Sequence, residues 1–172
     1  MKKNLPILLL VLGLLLVLGA GLFAWYSSQQ IPAIPVAAGT DVPQTLAGLA
    51  LTSTQSGAEA LATIKQLHGS DLQLTSAIVA IYGEANATLW VADTASNAEA
   101  LQLIQNMDAS ITKGGSPFTP VGVFQFRNRD VYMLKSIGMS DFYIQSGKKV
   151  LFLAIMPDQA EQAMKEMLDF YP

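Results

Sequence analysis

The sequence predicts an α+β chain: an N-terminal transmembrane helix plus one antiparallel sheet packed with about three helices. Three observations carry that expectation. Leu5 to Trp25 is an apolar run without a charge, and two capping boxes, Ser56-Gly-Ala-Glu59 and Ser96-Asn-Ala-Glu99, open amphipathic segments. Between those segments, short apolar runs recur in pairs about tight turns, as antiparallel hairpins do.

The apolar run comes first. As a helix rising about 1.5 Å per residue it spans roughly 30 Å, the thickness of a bilayer's hydrocarbon core. Lys2 and Lys3 precede it and belong on the cytoplasmic side, while Trp25 and Tyr26 suit the opposite headgroup layer. The chain is therefore expected in the cell membrane, single-pass, with a cytoplasmic N-terminus and a C-terminal domain that is extracytoplasmic (periplasmic). A cleaved signal peptide would be shorter and end in small-x-small. The exits Leu18-Gly19-Ala20 and Leu22-Phe23-Ala24 instead place leucine at the first small position. Gly13, Val17, Ala20 and Ala24 share one helix face, a stripe suited to close packing by a second membrane helix. The absence of cysteine excludes disulfides and thiol-linked lipid anchors.

This reading divides the chain into a signal-anchor at 1–26, a Pro-rich extended linker at 27–45 and an extracytoplasmic domain at 46–172. Pro32, Pro35 and Pro43 forbid regular helix in the linker. The charged share of the chain is 13 %, about half the usual. Without Lys2 and Lys3, eight of the ten Lys and Arg remain against 13 Asp and Glu, a net charge of −5. That balance argues against nucleic acid, which needs a basic footprint.

A first strand is expected at Leu46–Leu51. The first box opens a helix with Leu61, Ile64 and Leu67 inward, and the second a helix with Leu101, Ile104, Met107 and Ile111. Pro157-Asp158 opens a third, lined by Ala160, Ala163, Met164, Met167, Leu168 and Tyr171. Strands are expected at Ala77–Tyr82 and Ala87–Ala92, at Val121–Phe126 and Val131–Ser136, and at Asp141–Gln145 and Val150–Ile155. Leu89-Trp-Val-Ala92 and Leu151-Phe-Leu-Ala154 lie at an offset of 62 residues, each ahead of a helix. That echo suggests two pseudo-repeated ββα units sharing one sheet, with helices on one face.

Chemistry is harder to find. His68, the single histidine, precedes Gly69 at a helix end, where a protonated imidazole complements the helix dipole. No second histidine and no cysteine accompany it, so no typical zinc, haem or iron–sulfur ligand set exists, and no cofactor is expected. Neither a G-x-S-x-G elbow nor a phosphate loop is present. Two surfaces stand out instead. Trp90, Phe124, Phe126 and Phe142 form a candidate apolar face for a partner or ligand, because these strands are apolar on both sides. Arg127, Arg129, Lys135, Lys148 and Lys149 form a candidate basic patch. The leading expectation is a non-catalytic accessory or docking subunit of a larger membrane protein complex, reached through the membrane segment and the linker. The alternatives are a tethered module for a lipid or other apolar ligand and, more weakly, an enzyme using His68.

Overall fold

The computed structural model describes residues 41–68, 72–114 and 116–172. Its centre is an eight-stranded sheet, each neighbouring pair antiparallel: β1 (Thr45–Leu46), β2 (Leu49–Ser56), β3 (Ser76–Tyr82), β4 (Ala87–Asp93), β5 (Thr119–Phe126), β6 (Arg129–Ser136), β7 (Met139–Ser146) and β8 (Lys149–Ile155). The spatial order is β1-β2-β3-β4-β8-β7-β6-β5. Helix α1 (Gly57–His68) joins β2 to β3, and α2 (Asn97–Thr112) joins β4 to β5. A 3₁₀ turn at Pro157–Gln159 leads from β8 into α3 (Ala160–Phe170).

Local chemistry explains the elements. Ser96 caps α2 by accepting from the Glu99 N–H at 3.2 Å, and the Glu99 carboxylate reaches back to the Ala95 N–H at 3.1 Å. The β5–β6 hairpin turns on Arg127-Asn128, both at positive φ, the backbone a two-residue turn needs to follow strand twist. Asparagine tolerates that region and arginine does so rarely. The β6–β7 turn uses Ile137-Gly138, with Gly138 at φ 75°.

The expected architecture is corrected in three respects. The span predicted at Leu5–Trp25 lies outside the described residues, and among those described no helix is long and apolar enough to cross a membrane. The domain is dominated by one eight-stranded sheet, and its helices cover both faces. Strand residues alternate between faces. Leu89, Val91, Leu151 and Leu153 pack under α3, together with Val42, Leu46 and Ala47. Ala77, Val79 and Ala92 pack under α1, while Leu134, Tyr143 and Val150 pack under α2, on the other side. Strands apolar on both faces leave two surfaces to cover, and helices on one side could shield only half of that area.

The third correction concerns the pseudo-repeated ββα units. Trp90 pairs directly with Phe152, Leu89 with Leu153 and Val91 with Leu151, so the 62-residue offset maps β4 and β8 onto each other about a local two-fold axis normal to the sheet. Such an axis keeps each following helix on the same face, yet α2 and α3 lie on opposite faces. The echo is therefore confined to the two central strands.

Candidate interaction surface

The residues singled out in the sequence fall in different places. Phe124 and Phe126 are half-buried on the α3 side of the sheet, and Phe142 is fully buried there. Trp90 lies on the opposite side against the α1 cluster, where its ring meets Phe152 edge-on at 5.5 Å. Phe118 meets Phe152 at the same spacing, which makes a short aromatic row. The four expected rings thus line no common cavity. Gly13, Val17, Ala20 and Ala24 lie outside the described residues.

The basic residues divide as well. Arg127, Arg129, Lys148 and Lys149 sit at the sheet end formed by the β5–β6 and β7–β8 turns, and Lys135 lies toward the opposite end of β6. Three of the four clustered cations hold structural partners. Arg127 pairs with Asp169 on α3 and stacks over Phe126 at 5.4 Å. Lys149 pairs with Asp93 at 2.6 Å, and the same carboxylate accepts from the Ser76 hydroxyl at 2.6 Å. Arg129 donates to the carbonyls of Leu168, at 2.8 Å, and Tyr171, closing the C-terminal turn of α3. Partial burial, then the neighbouring Arg127, lowers the Arg129 pKa. Its ordinary value is so high that the guanidinium stays charged. Lys148 has an exposed side chain, and its carbonyl holds Thr94 by two hydrogen bonds, at 2.8 and 3.0 Å.

A shallow recess of about 350 Å³ lies beside Asp41, Ser146, Lys149 and Tyr171. Two of its polar side chains are already committed: the Ser146 hydroxyl lies within hydrogen-bond range of the Tyr171 and Pro172 carbonyls, and Lys149 serves Asp93. Among the described residues no group of three or more histidines and carboxylates is placed to hold a metal ion. His68 is the last residue of α1.

Other features escaped sequence reasoning. Ile137, at the tip of the β6–β7 turn, is 97 % exposed. Met156, 40 % exposed, follows β8 at the same end of the sheet, where Ile155 pairs with Ser140. An isoleucine in a tight turn was a visible oddity, since turn positions favour Gly, Asn, Asp and Pro. Strand β5 forms one edge of the sheet, with Val121 and Val123 half-exposed at 50 % and 55 %. Asp141 is buried on β7, and among the described residues its Oδ2 has no hydrogen-bond partner.

The exposed apolar residues therefore lie at a turn tip and along a strand edge, apart from the paired cations. No protein-family model, no curated protein and no solved structure matches the chain.

Proposed function

We propose that this chain is a membrane-anchored, extracytoplasmic, non-catalytic accessory subunit that docks on a larger membrane protein complex. Ile137 carries the reading. A fully exposed isoleucine at a turn apex contributes nothing to the core, and its hydration is relieved when a partner covers it. Met156, also exposed, lies at the same end of the sheet. The charge-free Leu5–Trp25 run behind Lys2 and Lys3 supports anchoring at a membrane. The alternative of a tethered module for a lipid or other apolar ligand has less behind it, because Trp90 lies across the sheet from Phe124, Phe126 and Phe142.

The test is purification of the full chain from its native membranes in mild detergent, beside Ile137→Asp. The substitution sits in solvent and should leave thermal unfolding unchanged. The wild-type chain should retain a defined set of membrane proteins, and the variant should lose them. A wild-type chain that migrates alone, or a variant that keeps the same companions, defeats the proposal.

A further inference from the structure

Strand β5 ends the sheet with an open hydrogen-bonding edge. The Arg127-Asn128 turn makes Phe126 and Arg129 its closing, hydrogen-bonded pair, and Phe124 with Val131 is the next pair of that kind. Val123 and Gln125 lie between, so their N–H and C=O groups point away from β6. Among the described residues no hydrogen bond outside the ladders engages those backbone groups. The first half of β5 is closed to pairing, because Pro120 lacks an N–H and the register shifts between Pro120 and Gly122. The open stretch is Gly122 to Phe126.

The other sheet edge is less inviting. Leu49 and Ala50 of β2 are covered by β1, the Leu51 N–H donates to the Gln44 carbonyl, and the remainder, Thr52-Ser-Thr-Gln-Ser56, is polar. Strand β5 has no charged residue and exposes valines. Nearly all natural edges carry some guard against pairing, often a lysine, and here the guard stops at Gly122.

We infer that the occupant of this edge is a second copy of the chain, joined β5 to β5 antiparallel about a two-fold axis at Phe124, so that the eight strands of each copy form one continuous sheet. Three features point to that occupant and register. Val123 then faces Gln125 of the other copy, and the reverse, so all four outward residues bond one another and both prolines stay outside the ladder. Gly122 faces Phe126 of the other copy. A Cβ at Gly122 would meet nothing within 4 Å, which leaves the open space an aromatic ring covers in a glycine–aromatic cross-strand pair. Finally, Arg127, next to the strand, meets Val121 of the other copy, so no like charges oppose. Parallel pairing would set Arg127 against itself. A segment of the chain's own linker fits poorly, because Pro32 and Pro35 interrupt any ladder it could offer.

The experiment uses the full chain in mild detergent. Sedimentation should give a dimer for the wild type. Val123→Pro removes an N–H that only the second copy uses, and should weaken association by about tenfold or more, with an unchanged far-ultraviolet spectrum. The chain has no cysteine, so Phe124→Cys supplies a clean cross-link. Residues facing across the axis at a non-hydrogen-bonded pair lie about 4.5 Å apart at Cα, within disulfide reach, and mild oxidation should double the mass. As a second probe that spares the half-buried ring, Val123→Cys mixed with Gln125→Cys should cross-link, and neither alone should. A monomeric wild type overturns the inference. So does a dimer that survives Val123→Pro, which would place association in the N-terminal segment, or the failure of both cysteine probes. Loss of docking partners in the Ile137→Asp comparison would not bear on these outcomes.

Discussion

Asp141 shows how one residue can set a stability profile. Its side chain is buried, it accepts from the Ser136 hydroxyl and backbone N–H, and among the described residues its Oδ2 has no partner. Burial raises its pKa, and the Ser136 bonds oppose the shift without cancelling it. The folded state therefore holds this proton to higher pH than the unfolded chain does. Between the unfolded carboxyl value and the raised folded value, the native state binds more protons, so stability falls as pH rises through that window. Above it the full cost of a buried, half-satisfied carboxylate is present. Asp141→Asn keeps the shape and an acceptor for Ser136 while removing the charge. It should raise stability at neutral pH by about 1 kcal/mol and flatten the acid-side slope. Urea midpoints of both proteins at a series of pH values check this. A variant less stable than the wild type at neutral pH would mean the carboxylate has a partner in solution.

At the scale of elements, the basic residues act as fasteners between the sheet and α3. Arg129 reaches from β6 to the Leu168 and Tyr171 carbonyls, which have no partners inside the helix. Arg129→Met keeps most of the apolar stem and removes both bonds, so it should destabilise by about 2 kcal/mol, the usual worth of charged hydrogen bonds. Urea unfolding measures the loss, and an unchanged midpoint would return Arg129 to the status of a solvent-facing cation. The sequence could not disclose this role, since Arg129 and Leu168 lie far apart along the chain and meet only through the fold. What sequence could disclose was local. The Ser96 box, the alternation of Leu89, Val91, Leu151 and Leu153, and the apolar stripe of α3 were all legible, because caps and periodicity are short-range signals. Thr119, Pro120 and Arg129 were missing from the expected strands, because a proline and charges beside a turn weaken the pattern at strand ends. The side of the sheet each helix chooses is a property of long-range packing, so the one-face expectation had no local warrant. The candidate surface was legible only in outline: composition pointed to excess apolar strand area, and only tertiary structure separates Phe142 in the core from Val123 at the rim.

The whole molecule depends on a segment that composition alone reads as linker. Val42 and Leu46 are buried on the α3 face, and Ala47 donates its N–H to the Glu166 carboxylate at 2.6 Å. The Tyr82 hydroxyl donates to the Pro43 carbonyl at 3.0 Å and the Tyr171 hydroxyl to the Asp41 carbonyl at 2.6 Å. Burial raises the pKa of both phenols, so they stay protonated and remain donors. Residues from Asp41 to Ala47 therefore act as a strap tying β3 to α3 across one face of the sheet. Removing Val42 and Leu46 forfeits roughly 3–6 kcal/mol of apolar burial. Two buried hydroxyls would also lose their acceptors, at about 1–3 kcal/mol each. A domain of this size has only about 5–15 kcal/mol in total. A chain starting at Asp41 should thus unfold in one cooperative transition. A chain starting at Leu49 should lose that transition and its near-ultraviolet signal while keeping secondary structure, because the rest of the sheet still pairs. Equal urea midpoints for the two chains would show that the strap adds nothing and that α3 alone seals this face.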